Sequence, residues 1–74
     1  MTAEQINEVK LWATVIIRKK HDPIKIENKL YYLYNKGYPH DEAYRISNVL
    51  MKLGYNTVVT SGAMSSTIYI RKWS

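Results

Sequence analysis

The sequence has no cysteine, which excludes a disulfide framework and any thiolate metal site. A chain of 74 residues must then fold on apolar burial alone, or with the help of a partner. Phenylalanine is missing too. The aromatics are seven Tyr and two Trp, so each carries a polar group that needs a hydrogen-bond partner or a wet edge. A domain of this size does not bury all of them, and some are expected at the surface. Three glycines and two prolines leave no material for a flexible linker or a phosphate-cradling glycine series. Acidic residues are few: six, against eleven Lys and Arg, for a formal charge of +5 that favours anionic partners. Long apolar runs are also absent. The longest, Ala13 to Ile17, falls far short of the roughly 18–20 residues of a membrane span. It is followed by Arg18-Lys19-Lys20, whereas a secretory signal carries its charge before the apolar stretch. The expectation is a soluble, cytoplasmic protein without a membrane partner.

Chemistry is equally sparse. There is no Ser/His/Asp arrangement and no pair of carboxylates placed for acid–base work. His21 and His40 each stand beside an aspartate, Asp22 and Asp41, at points where the aspartate has a helix-start task. Neither catalysis nor a cofactor or metal is expected.

What is present reads first as helix. Thr2 and Gln5 match a capping box, and Ile6, Val9, Trp12, Ala13, Ile16 and Ile17 form one stripe down to about Lys20. Leu11 and Val15 lie outside that stripe and give the helix a second apolar side. Asp22-Pro23 signals a restart, and Ile26, Leu30, Leu33 and Tyr34 place a second helix up to Lys36. In the stretch NKGYPHDEAYR, residues 35–45, Gly37 falls where a left-handed cap belongs and Pro39 blocks continuation. A third helix follows from His40 to Leu53, with Ala43, Ile46, Val49, Leu50 and Leu53 inward, closed by Gly54. Beyond it the period changes to two. Tyr55–Thr60 and Thr67–Trp73 read as strands around a small-residue loop, with Val58 expected to share the Ile68 and Ile70 face. Thr67, Tyr69, Arg71 and Trp73 share the opposite one. The predicted fold class is α+β: a single domain, 1–74, with a three-helix bundle followed by a C-terminal β-hairpin.

From Lys29 to Trp73 that order resembles a winged helix, with Gly37 at the turn glycine and Tyr38, Ala43 and Ile46 at its apolar positions. The resemblance implies a double-stranded DNA partner, bound by a dimer with helix 40–53 as recognition helix and hairpin 55–73 as wing. Tyr44, Arg45 and Asn48 would then reach base edges and Lys52 a phosphate. Tyr69 and Arg71, with Trp73, would touch backbone or minor groove, and Lys19 and Lys20 would add charge. The Gly37 corner also resembles the first turn of ubiquitin-associated-type helical domains, in which the loop binds protein. A second expectation rests on excess apolar surface: a protein-interaction module, an inhibitor or adaptor in the style of phage and mobile-element proteins. Its partner surface would be Leu11 and Val15 on helix one, with Tyr44 and Met51 on helix three, and a homodimer through helix one is its simplest form. Plainer readings stand beside both. Arg45, Asn48 and Lys52 suit a solvated helix face, and Arg18 to Lys20 suit a dipole-compensating helix end. Tyr31, Tyr32 and Tyr34 suit core and rim packing, or a stacking platform for single-stranded nucleic acid because Lys29 and Lys36 flank them.

Overall fold

The computed structural model describes residues 2–20 and 23–72. The elements run α1 (Ala3–Lys19), β1 (Pro23–Ile26), β2 (Lys29–Tyr38), α2 (His40–Lys52), β3 (Tyr55–Ser61) and β4 (Ser66–Lys72). All strand pairs are antiparallel, in the order β1-β2-β4-β3. The three-helix bundle is thereby overturned, and the winged-helix resemblance with it: among the described residues there are two helices on a four-stranded sheet. The expected roles of His21, Asp22 and Trp73 lie outside the described residues.

The first helix forms as its cap predicts. Thr2 N–H donates to Gln5 Oε1 at 2.9 Å and Gln5 N–H donates to Thr2 Oγ1 at 3.2 Å, so each side chain satisfies a backbone donor of the other. Val9, Ala13 and Ile16 are its buried stripe. Lys20, left-handed at φ 55°, closes it by donating its N–H to the Ile16 carbonyl at 2.8 Å.

The segment expected as a second helix is a hairpin. Glu27 and Asn28 both take positive φ, 50° and 66°, the requirement of a two-residue hairpin turn whose twist matches its strands. Strand β2 then runs ten residues with apolar side chains at five successive positions, Leu30 to Tyr34. Such a run suits a strand used on both faces as well as it suits a helix, and tyrosine's β preference decides for the strand. Its register against β4 slips twice, once between Leu33 and Asn35 and once between Lys36 and Tyr38. Tyr34 stands at the first slip with no residue opposite, and its carbonyl instead accepts from Trp12 Nε1 at 2.9 Å. Gly37 stands at the second slip. Its φ of 84° serves a bulge in the strand, not the helix cap expected from sequence.

Both helices cover one face of the sheet, α1 over β2 and β4, α2 chiefly over β3. Between the layers lie Val9, Ala13, Ile16, Tyr34, Ala43, Ile46, Leu50, Ile68 and Ile70, with Thr57 and Val59 of β3 beside the last two. The four of these that are large, aliphatic and fully buried are Ile16, Leu50, Ile68 and Ile70. Each contributes roughly 1.5–3 kcal/mol by leaving water. Val58 is not their partner. It pairs with Tyr69 on the other face, because Val59 takes the inward position opposite Ile68. Two polar ties fix α2: Ser47 shares a hydrogen bond with Thr57, and His40 Nδ1 lies 2.6 Å from Oγ of the fully buried Ser66. Gly54, at φ 98°, ends the helix in the way its sequence signals.

Candidate nucleic-acid interface

Because both helices occupy one side, the other side of the sheet carries no helix or strand among the described residues. Strand alternation and register decide what it shows. One row across it holds Ile24, Tyr31, Arg71 and Asn56; the next holds Leu33, Tyr69 and Val58; a third holds Lys36, Thr67 and Thr60. Ile26 and Lys29 extend the face at the β1–β2 turn. Its middle is therefore apolar and aromatic, with cations towards both ends. The Arg71 guanidinium sits over the Tyr31 ring at 5.9 Å from the centroid, which holds both planes in the face. Lys29 and Lys36 lie seven residues apart on β2, about 20 Å at the rise of a strand, so cations bracket the aromatic centre.

The charge distribution follows the elements. The four strands contain Lys25, Lys29, Lys36, Arg71 and Lys72 and no carboxylate. Glu4, Glu8, Asp41 and Glu42 belong to the helices, and Glu27 to the first turn. Glu8 and Glu42 border a groove between α1, α2 and β2 that Trp12, Tyr34, Tyr38 and Ile46 also line. There burial holds the Tyr34 phenol far above its ordinary pKa, with the charge of the neighbouring Tyr38 phenolate adding to the effect. Tyr38 is also raised, by burial first and by the Glu42 charge, against a lowering hydrogen bond from Asn35. A second groove lies at the opposite end of α1. Lys20, Lys29, Arg71 and Lys72 line it together with Asn28, Leu30, Tyr32 and Ile17, and among the described residues no carboxylate does. Lys29 and Arg71 belong to this groove and to the open face alike, so the two form one basic surface.

The structure divides the residues that the winged-helix resemblance had grouped. Tyr44, Arg45, Asn48 and Lys52 are exposed on the outer side of α2, while Tyr69 and Arg71 lie on the far side of the sheet. Lys19 and Lys20 end α1; Lys20 lines the basic groove with Arg71 and so joins the second group, whereas Lys19 is exposed and does not line it. The turn before α2 follows a strand, so no first helix of a helix-turn-helix exists to set α2 in a groove of duplex DNA. Leu11 is exposed and Val15 half-buried on α1, and Met51 is exposed on α2. They form no single patch, since Leu11 points away from the sheet and Met51 lies toward the β3 side.

Tyr31, Lys29, Lys36, Tyr69 and Arg71 are candidates already from the sequence, whereas Leu33 and Ile26 match helical spacing there and Val58 the core; Ile24 carries no signal of its own. The alternation of Ile68 and Ile70 with Tyr69 and Arg71 was the usable signal for the face. Nothing local shows that β2 lies beside β4. Comparison with known proteins matches no family model, no curated protein and no solved structure. Among the described residues, no helix is long and apolar enough to cross a membrane.

Proposed function

We propose that this protein binds single-stranded nucleic acid across the open face of its sheet. The observation that carries the reading is the composition of that face. Tyr31 and Tyr69 stand among Leu33, Val58, Ile24 and Ile26, bracketed by Lys29, Arg71 and Lys36, on strands without a carboxylate. A water-exposed sheet with no partner would gain from polar residues there, and this one keeps aromatic and aliphatic ones. Unstacked bases offer flat apolar surfaces to tyrosine rings, and the backbone that joins them offers phosphates to the flanking cations. The basic groove of Lys20, Lys29, Arg71 and Lys72 continues the track for phosphate off the edge of the face. A duplex keeps its bases stacked inside and presents no such surfaces to a flat sheet.

Fluorescence anisotropy with labelled oligo(U), oligo(dT) and a duplex of equal length tests this at low and moderate salt. Single strands are expected to bind more tightly than duplex, with affinity falling steeply as salt rises. Tyr69→Ala should weaken binding roughly 5- to 100-fold, the worth of one stacked base. Lys36→Ala should weaken every single-stranded sequence alike and reduce the salt slope by about one contact. Equal or tighter duplex binding, or loss of binding on Arg45→Ala and not on Tyr69→Ala, would overturn the reading.

A further inference from the structure

The two edges of the sheet are built differently, and the difference points to a partner. The β1 edge is four residues long and contains Pro23 and Lys25, both of which discourage a further strand from adding. The β3 edge has no such device. Its seven residues, Tyr-Asn-Thr-Val-Val-Thr-Ser, contain no proline and no charge, and they pair with β4 in one unbroken register from Tyr55 to Ser61. The outer backbone groups of such a strand form a straight, uncharged template.

We infer that β3 pairs antiparallel with β3 of a second copy of this chain, making one eight-stranded sheet. A two-fold axis normal to the sheet requires paired residues to lie on the same face, so the two paired numbers must sum to an even value. Centring on Val58 satisfies that and uses the whole strand. Val58 meets its own copy, Thr57 meets Val59, Asn56 meets Thr60 and Tyr55 meets Ser61. No pair sets like charges together, although the chain carries +5 overall.

A second observation lies directly above that edge. On α2, Ser47 turns to Thr57 of β3 and Ile46 turns to the groove beside α1, which fixes the orientation of the helix. At 100° a residue, Tyr44 and Met51 then fall on the flank toward the free edge. They are 56% and 51% exposed, although both are largely apolar. Joining two β3 strands sets the two copies of α2 side by side on the helix-covered side of the seam. Tyr44 and Met51 would then cover their counterparts from the partner. Leu11 and Val15, on α1 over β2 and β4, take no part. The dimer places two open faces side by side and does not depend on what they bind.

Sedimentation velocity without nucleic acid tests the proposal. The chain is expected to sediment as a dimer at tens of micromolar. Asn56→Lys combined with Thr60→Lys sets lysine against lysine across the axis on the solvent-facing side of the sheet. It should weaken the dimer more than about 10-fold while leaving the circular dichroism spectrum unchanged. The Asn56→Glu, Thr60→Glu variant mixed with it should restore a dimer of unlike chains. Met51→Glu should weaken association through the helices and leave the strands intact. A wild-type chain that stays monomeric to about 1 mM, or a dimer indifferent to the lysine pair, would overturn the proposal. Either result would leave the oligonucleotide experiment above unaffected.

Discussion

The two hairpins of this sheet are made in opposite ways. The first, β1–β2, turns on two residues, Glu27 and Asn28, that both take positive φ, and its long strand is bulged at Tyr34 and at Gly37. The second, β3–β4, turns through the longer Gly62–Ser65 loop, and its register is regular from end to end. Both β2 and β4 have a neighbour on either side, so the contrast lies in what else each strand serves. Strand β4 serves the core, and its inward residues Ser66, Ile68 and Ile70 are all fully buried. Strand β2 must serve α1, β1 and β4 at once, and its bulges let Tyr34 and Tyr38 reach the helices while Tyr31 and Leu33 stay on the open face. The second hairpin therefore carries the core, and the first carries most of the surface that we read as functional.

The largest expected effect separates the two by one residue type. Ile70→Ala opens a cavity at a fully buried site in the central strand and should cost about 2–5 kcal/mol, a large part of the stability of a domain this small. Ile24→Ala, at a position 36% exposed on the β1 edge, should cost about 1 kcal/mol or less. Urea-unfolding midpoints at a common m-value measure both. Similar costs at the two sites would break the division between a hairpin that holds the core and one that holds the surface.

The same difference explains what could be read from the sequence. Where one local pattern has one meaning, it was legible: the Thr2/Gln5 cap, the Ala43-Ile46-Leu50 stripe of α2, Gly54, and the strict alternation through Ile68, Tyr69, Ile70 and Arg71. The first hairpin offers two meanings at each point. Ile26, Leu30, Leu33 and Tyr34 match helical spacing because successive apolar residues of β2 serve both faces. Its bulges erase the period of two that would have marked a strand, and its turn is spelled Glu-Asn in place of the usual Asn-Gly. Val58 and Val59 posed a smaller version of the same choice, which the helices above the sheet settle in favour of Val59. The candidate site was half visible. Tyr69 and Arg71 share a face by strand geometry alone, but their meeting with Tyr31 and Leu33 depends on a pairing of strands about 40 residues apart.

An intermediate effect comes from alkaline pH, which addresses the first hairpin because Tyr34 and Tyr38 both belong to β2. Burial raises the Tyr34 phenol above its ordinary pKa of 10.0, and the Tyr38 phenol is raised in the same direction. A phenol raised in the folded state stays protonated after its unfolded counterpart has ionised. Stability is thus fully present below about pH 10 and lost as pH climbs beyond it, by up to about 1.4 kcal/mol per pH unit for each such group. Thermal unfolding between pH 8 and 11.5 should show a plateau and then a decline, and Tyr34→Phe should make the decline shallower. An unchanged slope in Tyr34→Phe would place that ring in water and remove the inward bulge of β2.

The smallest effect is the most diagnostic, because its sign differs between the two possible conformations of residues 23–36. In the hairpin, Glu27 holds a left-handed backbone that costs a non-glycine residue about 1 kcal/mol or more, and Asn28 holds a similar one at less cost. Replacing the pair by Asn-Gly, with Glu27→Asn and Asn28→Gly, gives the turn the residues its φ values favour. It should stabilise the domain by about 0.5–1 kcal/mol, a rise of some 2–8 °C in melting temperature. Were the same residues the middle of a helix, both changes would lower helix propensity and the pair would destabilise by about 0.5 kcal/mol. The second loop supplies the control. There Gly62 donates its N–H to the Ser65 carbonyl at 2.8 Å, and a Cβ added to it would stand 3.2 Å from that oxygen. Gly62→Ala should therefore lower the melting temperature slightly while the Asn-Gly turn raises it. A fall in both would return the first hairpin to the helix that its apolar spacing suggests, and the open face would lose Tyr31, Leu33 and Lys36 together.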